Sequence, residues 1–495
     1  LYFLQDEVSS DGSNHRNLCS YSFGNLEKKE QNAGINSYQI ALGGEKTIIW
    51  TESNQLIVTK TGDEVNDKAD NFYSPEGGRV NLAAIKIEIN RTEEWKQMYR
   101  EAWLKQREHF WTENMSGVDW IKVFKHYFPL IERVGSRGEF SDLIWEMQGE
   151  LGTSHCYEMG GDYRSAPYFN VGKLGCSYEL ASDGVSYVIT STWIGAADKA
   201  NQISPLKLPG VNINVGDRIY AIDGRELSAE LTPRACLVNK AGVDIALTVK
   251  RKGDRRKRDV VVKTLMNEKI VLYRQWVEAN KKYVHKKSRG KVGYVHIPDM
   301  GVFGFEEFHR HYLVECQYDS LLVDVRYNGG GHVSQLLLEK LNRKRLGYDL
   351  SRWNKEPEPY PGSSVAGPMV ALTNEYAGSD GDIFSHAFKM MDLGKLIGKR
   401  TWGGVIGINM QYSLVDGAKT SQPEYSFWFN DVGWGVENYG TDPDIEISIK
   451  PQDYANGKDP QLEGAVNHLL AELKQNPVVK PKLNKRPNLA LPKMK

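Results

Sequence analysis

The chain has 495 residues, with 63 basic and 63 acidic side chains and a formal net charge of zero. That length exceeds what one hydrophobic core serves and points to about three to five domains, while the charge balance gives no electrostatic case for nucleic acid or an anionic membrane as main partner. No apolar run approaches the roughly 20 residues that cross a bilayer, and the five cysteines, at 19, 156, 176, 236 and 316, lack the paired spacing of a zinc or redox motif, so a reduced chain without metal or organic cofactor is expected.

Residues 1–90 alternate short apolar runs with polar turns, as in Leu1-Tyr2-Phe3-Leu4, Leu18-Cys19-Ser20-Tyr21, Ser37-Tyr38-Gln39-Ile40, Thr47-Ile48-Ile49-Trp50 and Gln55-Leu56-Ile57-Val58. This spacing predicts antiparallel strands. The opening strand, the turn at residues 10–14 and the strand after it resemble part of a β-propeller blade. Leu1 is not an initiating methionine, so the chain is expected to be a truncated piece of a longer one. No secretory signal is visible, and a cytoplasmic location is expected with export left open.

Residues 91–161 change period. Trp95, Met98, Tyr99, Ala102 and Trp103 recur at helical spacing, as do Ile121, Phe124, Tyr127 and Phe128, then Phe140, Leu143, Ile144 and Met147. A small helical domain is predicted, its aromatic stripe serving as core. Residues 162–265 return to strands. The hairpin from Gly216-Asp217-Arg218-Ile219 to Ile222-Asp223-Gly224, a short helix through 235–240 and the closing strand from Ile245 follow in the order of a PDZ domain, which this segment resembles. Such a domain leaves a sheet edge open to a peptide strand, although the fold also serves as a spacer. The basic runs at 250–258 and 281–287 are read as a solvated turn and linker.

From 266 to 475 the pattern is strand, helix, strand: residues 292–297, 305–314, 320–326, 332–341 and 369–373, an α/β layer architecture. Two strand-to-helix turns carry chemistry. Asn328-Gly329-Gly330-Gly331-His332 strips side chains from the backbone, so its N–H groups approach a ligand closely; the lysine and Ser/Thr of a phosphate loop are missing, and oxyanion binding is the better use. Gly378-Ser379-Asp380 presents a serine where the following helix directs its unpaired N–H groups. Taken alone that serine is a helix cap.

These two turns, with Gly398-Lys399-Arg400-Thr401-Trp402-Gly403-Gly404 after them, resemble the clan of tail-specific and interphotoreceptor-retinoid-binding-protein-like serine peptidases. Gly152-Thr153-Ser154-His155-Cys156-Tyr157-Glu158 and the segment Gly433 to Asp444 resemble the paired signatures of its tricorn branch. Tail-specific members carry a dyad lysine where this chain has Gly404, so the serine needs another base. The resemblance implies Ser379 as nucleophile, His155 as general base, Ser154 as the hydroxyl touching the imidazole and Glu437 as the carboxylate behind it, with the amides of Gly331 and Asp380 as oxyanion hole. His332 and His386 are the rival bases. It further implies that Asp349 selects Lys or Arg before the cut from a neighbouring subunit, in a hexamer built as a trimer of dimers, with peptides as substrates and aminopeptidases as downstream partners. The fold expected is multidomain α+β: propeller remnant strands, a helical domain, a PDZ-like β domain, an α/β sandwich peptidase domain, and a basic, Pro-rich tail over 476–495. A PDZ-type scaffold with an inactive peptidase domain and a tail-specific processing peptidase are the alternatives.

Overall fold

The computed structural model describes residues 1–8, 14–66, 71–193, 195, 202–353, 356–409, 412–481 and 486–492. Most of the expected turn at 10–14, the stretch 196–200 of the expected PDZ segment, Asn354 and parts of the tail lie outside the described residues. Two compact units are present, Leu1–Glu94 and Trp95–Lys495.

The first unit holds two three-stranded antiparallel sheets. One pairs Tyr2–Val8, Asn14–Ser22 and Glu27–Asn32; the other pairs Ile35–Ala41, Lys46–Thr51 and Leu56–Lys60. Their inward positions, Leu18, Ile35, Ile49 and Ile57, form one small core.

In the second unit, the part of helix Arg91–His109 from Trp95 onward and helices Trp120–Tyr127 and Arg137–Gly149 enclose an aromatic core. The first and third bury the expected stripes almost in full, but Ile121 is exposed and Trp120 and Val123 are buried in its place. The cause is local. Asp119 caps the second helix by accepting from the Lys122 amide, which fixes the first turn, and the Trp120 indole then donates to the Trp103 carbonyl while the Trp103 indole donates to that of Trp120.

A six-stranded antiparallel sheet follows, running from Cys176–Leu180 through Tyr187–Thr192, Arg218–Ile222 and Asp244–Lys250 to Arg258–Lys263, with Arg225–Glu226 paired to Arg218–Ile222. The helix beside it is one turn, Pro233–Cys236, shorter than the spacing predicts.

The last layer is a parallel sheet in sequential order: Val292–His296, Ser320–Asp324, Met369–Thr373, Gly394–Gly398 and Ile445–Glu446. Strands covered on both faces read as continuous apolar runs, and the first three here are buried at every position. Helices Val302–Glu315, Ser334–Leu341 and Asp380–Met390 cover one face through Phe308, Leu337 and Phe384. Lys269–Ser288 and Pro460–Gln475 cover the other through Val277, Val284, Val466 and Leu469. The tail continues along this layer: Lys480 pairs with Asp319, and Val478 lies where a side chain at Gly367 would fall.

Parallel order brings the carboxyl ends of neighbouring strands to one edge, and the loops leaving those ends converge there. The two chemistry-bearing turns leave adjacent strands, which pair from Leu321 with Met369 to Asp324 with Leu372.

Candidate active site

Ser379 sits between strand Met369–Thr373 and helix Asp380–Met390 with φ 56° and ψ −121°. A side-chain-bearing residue at positive φ stores strain, which surrounding bonds must hold. Here the Gly378 amide donates to the Asn328 carbonyl and the Gly381 amide to that of Gly378. Asp380, one residue on, accepts from both the amide and the hydroxyl of Ser334, the first residue of the helix that leaves the glycine turn. The turn and the elbow are thus stitched together on both sides.

The glycines are there for closeness. A Cβ on Gly330 would stand 2.6 Å from the Ser379 Cβ, and one on Gly331, where φ is +147°, would stand 2.1 Å from the Met300 carbonyl oxygen. Asn328 shapes the turn from inside, accepting from the Gly330 amide and donating to the Ile297 carbonyl. Among the described residues neither the Gly331 nor the Asp380 amide has a protein acceptor. Both amides belong to the two turns that meet at the half-buried Ser379, and amides without a protein acceptor are the kind of donor an oxyanion needs.

His155 comes from the far side of the PDZ-like sheet in sequence, just after the helical bundle. It too has positive φ, 63°. Ser421 holds that bend: its hydroxyl donates to the His155 carbonyl and accepts from the Tyr157 amide, and its amide donates to the Tyr157 carbonyl. A short pairing of Glu158–Met159 with Lys419–Thr420 continues the staple. Half-buried Arg137 bridges Glu158 and Asp416 across the same junction.

The imidazole Nδ1 lies 2.8 Å from the Ser154 Oγ. Glu437 receives the Ser154 amide at 2.7 Å and its hydroxyl at 3.1 Å. It also receives the Val405 and Ile406 amides at 2.7 and 3.2 Å. Burial lowers the His155 pKa below its ordinary value and so favours the neutral ring, partly opposed by the Glu437 charge. Among the described residues no hydrogen bond joins His155 to Ser379; the link between them is Trp402. Its ring meets the imidazole edge-on at 5.4 Å and packs where a side chain at Gly378 would stand.

Four consecutive amides connect the two halves. Gly403 and Gly404 donate to Asp382, on the serine's helix, and Val405 and Ile406 donate to Glu437. Asp382 is fully buried, and burial raises it to about 6 against the hydrogen bonds that favour its charge.

Ser379, Ser154, His155, Glu437, Gly331 and Asp380 are therefore gathered at one edge of the sheet. Asp349 is not brought to them; it ends the short strand Gly347–Asp349 in an exposed hairpin with Glu358–Tyr360. Of the rival bases, His386 bonds Thr441 and Asp431, and His332 is exposed. Sequence reasoning missed Asp382, Ser421 and Trp402. An acid in a first helical turn reads as a dipole partner, and only its place beside the serine elbow hints at more.

Residues 291–447 match the model described as Peptidase family S41, residues 91–149 the Tricorn protease C1 domain and residues 172–267 the Tricorn protease PDZ domain. A Sulfurisphaera tokodaii protein named Putative Tricorn-like protease C-terminal subunit is 47% identical over 444 residues, covering 89% of this chain and 50% of that protein. The Tricorn protease of Thermoplasma volcanium is 40% identical over 465 residues, 94% of this chain and 44% of that one. A crystal structure of the tricorn protease superposes with a TM-score of 0.84 at 39% identity, over 93% of this chain and 44% of that chain. The chain spans half or less of the length of these relatives.

Proposed function

Because the chain belongs to peptidase family S41, in its tricorn branch, we propose that it hydrolyses peptides or unfolded polypeptide fragments by serine catalysis. The observation that carries this reading is the Glu437–Ser154–His155 hydrogen-bond chain, tied by one loop to the strained Ser379 elbow.

Ser379 Oγ attacks the scissile carbonyl while His155 takes its proton. The carbonyl oxygen becomes an oxyanion, which the Gly331 and Asp380 amides hold. Collapse breaks the C–N bond, His155 gives its proton to the leaving amine, and an acyl-enzyme remains. Water, deprotonated by His155, then hydrolyses the ester and restores Ser379. Ser154 and Glu437 orient the imidazole and stabilise its charged form.

Basic residues before the cut are the preferred substrates, with Asp349 as the selecting carboxylate. Its exposure in the single chain supports a role in a second copy's pocket, hence a homo-oligomer such as a trimer of dimers, with released fragments passing to aminopeptidases. We read the two N-terminal three-stranded meanders as propeller-type blade material, and the six-stranded sheet as a peptide-guiding module. The domain limits follow the same reading: 1–90, 91–161, 162–265, 266–475 and the tail.

The test is turnover of fluorogenic peptides ending in Lys or Arg by the intact chain and by Ser379→Ala. Serine-dependent cleavage supports the reading; no such cleavage across a peptide panel returns the chain to a scaffold.

A further inference from the structure

Trp402 is 48% exposed, yet one part of its indole lies against Gly378, Gly404 and the His155 ring. Its amide donates to the Ala377 carbonyl, two residues before Ser379. A Cβ on Gly378 would come within 2.8 Å of the ring's Cε3, and a Cβ on Gly404 within 2.3 Å of Cζ3. Real Cβ atoms do not approach so closely, so both positions must be bare for the ring to lie where it does. Gly404 carries no positive φ, so its backbone alone does not require glycine. The ring meets the His155 imidazole edge-on, at 5.4 Å and 71°.

Nothing in the nucleophile–base chemistry needs a tryptophan as donor or acid. What it needs is a fixed distance between two turns contributed by segments more than two hundred residues apart in sequence. Asp382 and Glu437 fix the backbone of residues 403–406 between them. Neither touches the imidazole face.

We propose that Trp402 is a positioning residue, a wedge that sets the His155 imidazole against the Ser379 turn, and that Gly378 and Gly404 are side-chain-free because the wedge occupies their space. The inference rests on the reading of Ser379 and His155 as nucleophile and base. It accounts for position 404 independently of any lysine: a side chain there collides with the indole. It also assigns part of the imidazole's burial to this ring, beside the Tyr157 ring at 5.6 Å and, through Ser154, Glu437.

The experiment measures kcat, KM and the pH profile of kcat/KM on a fluorogenic peptide for the intact chain and for Trp402→Phe, Trp402→Ala, Gly404→Ala and the Trp402→Ala/Gly404→Ala pair. Losing the wedge displaces the base by a fraction of an ångström to an ångström, so Trp402→Ala is expected to lower kcat by about 10- to 100-fold with KM within about twofold. Trp402→Phe, which keeps a ring edge, recovers most of that loss. Gly404→Ala lowers kcat in the wild-type background and has no further effect once the indole is gone, the non-additivity expected of two groups competing for one space. The acid limb of kcat/KM for Trp402→Ala moves upward, toward an ordinary histidine, as the ring's burial is lost. A His155-dependent enzyme in which Trp402→Ala keeps wild-type kcat, or in which Gly404→Ala is equally harmful without the indole, overturns the wedge alone. Turnover indifferent to His155→Ala overturns the wedge together with the reading beneath it.

Discussion

Replacing Glu437 by Gln separates the electrostatic role of this carboxylate from its role as a scaffold. Oε2 gathers three donors, the Ser154 hydroxyl and the Val405 and Ile406 amides, whereas Oε1 receives only the Ser154 amide. A glutamine therefore places its oxygen at the Oε2 site and turns its NH2 toward the Ser154 amide. One charge-assisted bond is replaced by two facing donors, a cost of about 1.5–3 kcal/mol. Expressed in the transition state, that lowers kcat/KM by about 10- to 100-fold. The charge has a second effect with its own signature. The bonds through Ser154 limit the carboxylate–Nδ1 separation to about 6 Å, close enough for its charge to favour the imidazolium. Glu437 raises the His155 pKa, so its neutralisation lowers it. Activity requires neutral His155; the acid limb of kcat/KM must therefore move to lower pH in the variant while the plateau falls. Asp382, titrating at about 6, contributes equally to both proteins, so the difference between the two profiles reports His155. An acid limb that stays in place or moves upward refutes the assignment of Glu437 to the imidazole.

Asp382→Asn is expected to lower kcat about tenfold with little change in KM, because the bonds to Gly403 and Gly404 register the loop rather than touch substrate. The same variant tests linkage: a carboxyl raised to about 6 in the fold contributes stability that is present below its unfolded pKa and lost as pH rises through 6. The melting temperature of wild type relative to Asp382→Asn should accordingly fall between pH 4 and pH 7, and a rise would count against the raised value. Gly330→Ala forces a Cβ against Ser379 at a φ of +81°, and kcat should drop about 10²- to 10³-fold by the measure of a lost oxyanion donor; near-normal turnover would show that the glycine turn does not border the reacting carbonyl. Asp349→Asn should weaken the preference for Lys and Arg over Leu by about tenfold or more in kcat/KM, as expected when a charge-assisted pairing is lost. Unchanged selectivity in competition assays would remove Asp349 from the pocket.

Where one physical rule governs a segment, the residues disclose it. The parallel strands are legible because burial on both faces demands unbroken apolar runs, and the Gly-rich turn because a close backbone approach demands bare Cα atoms. The second helix shows the limit. Period alone places Ile121 inward, but the Asp119 cap and the reciprocal Trp103–Trp120 bonds rotate the face, and such bonds are tertiary information. The site divides the same way. The glycines announce themselves by local turn chemistry, whereas Ser379 read alone is a helix cap and gains its role through resemblance, as does His155, whose setting depends on Ser421 and Glu437, each more than two hundred and fifty residues downstream. Asp382, Ser421 and Trp402 carry no local signature because each acts through backbone or ring contacts that exist only once the segments have docked. Buried Arg326, held by Asp324 and Asp459 under the glycine turn, is another such contact: its sequence position marks a strand end, and its partners do not.

The central claim is that Ser379 is activated by a histidine delivered from a distant segment. It is tested most directly by the rate of covalent labelling with a fluorophosphonate, with the modified residue located by peptide mapping. The account predicts a single label on Ser379 in the intact chain and a labelling rate at least about 10³-fold lower in His155→Ala. Labelling of another residue, or of Ser379 at an undiminished rate without His155, would contradict it.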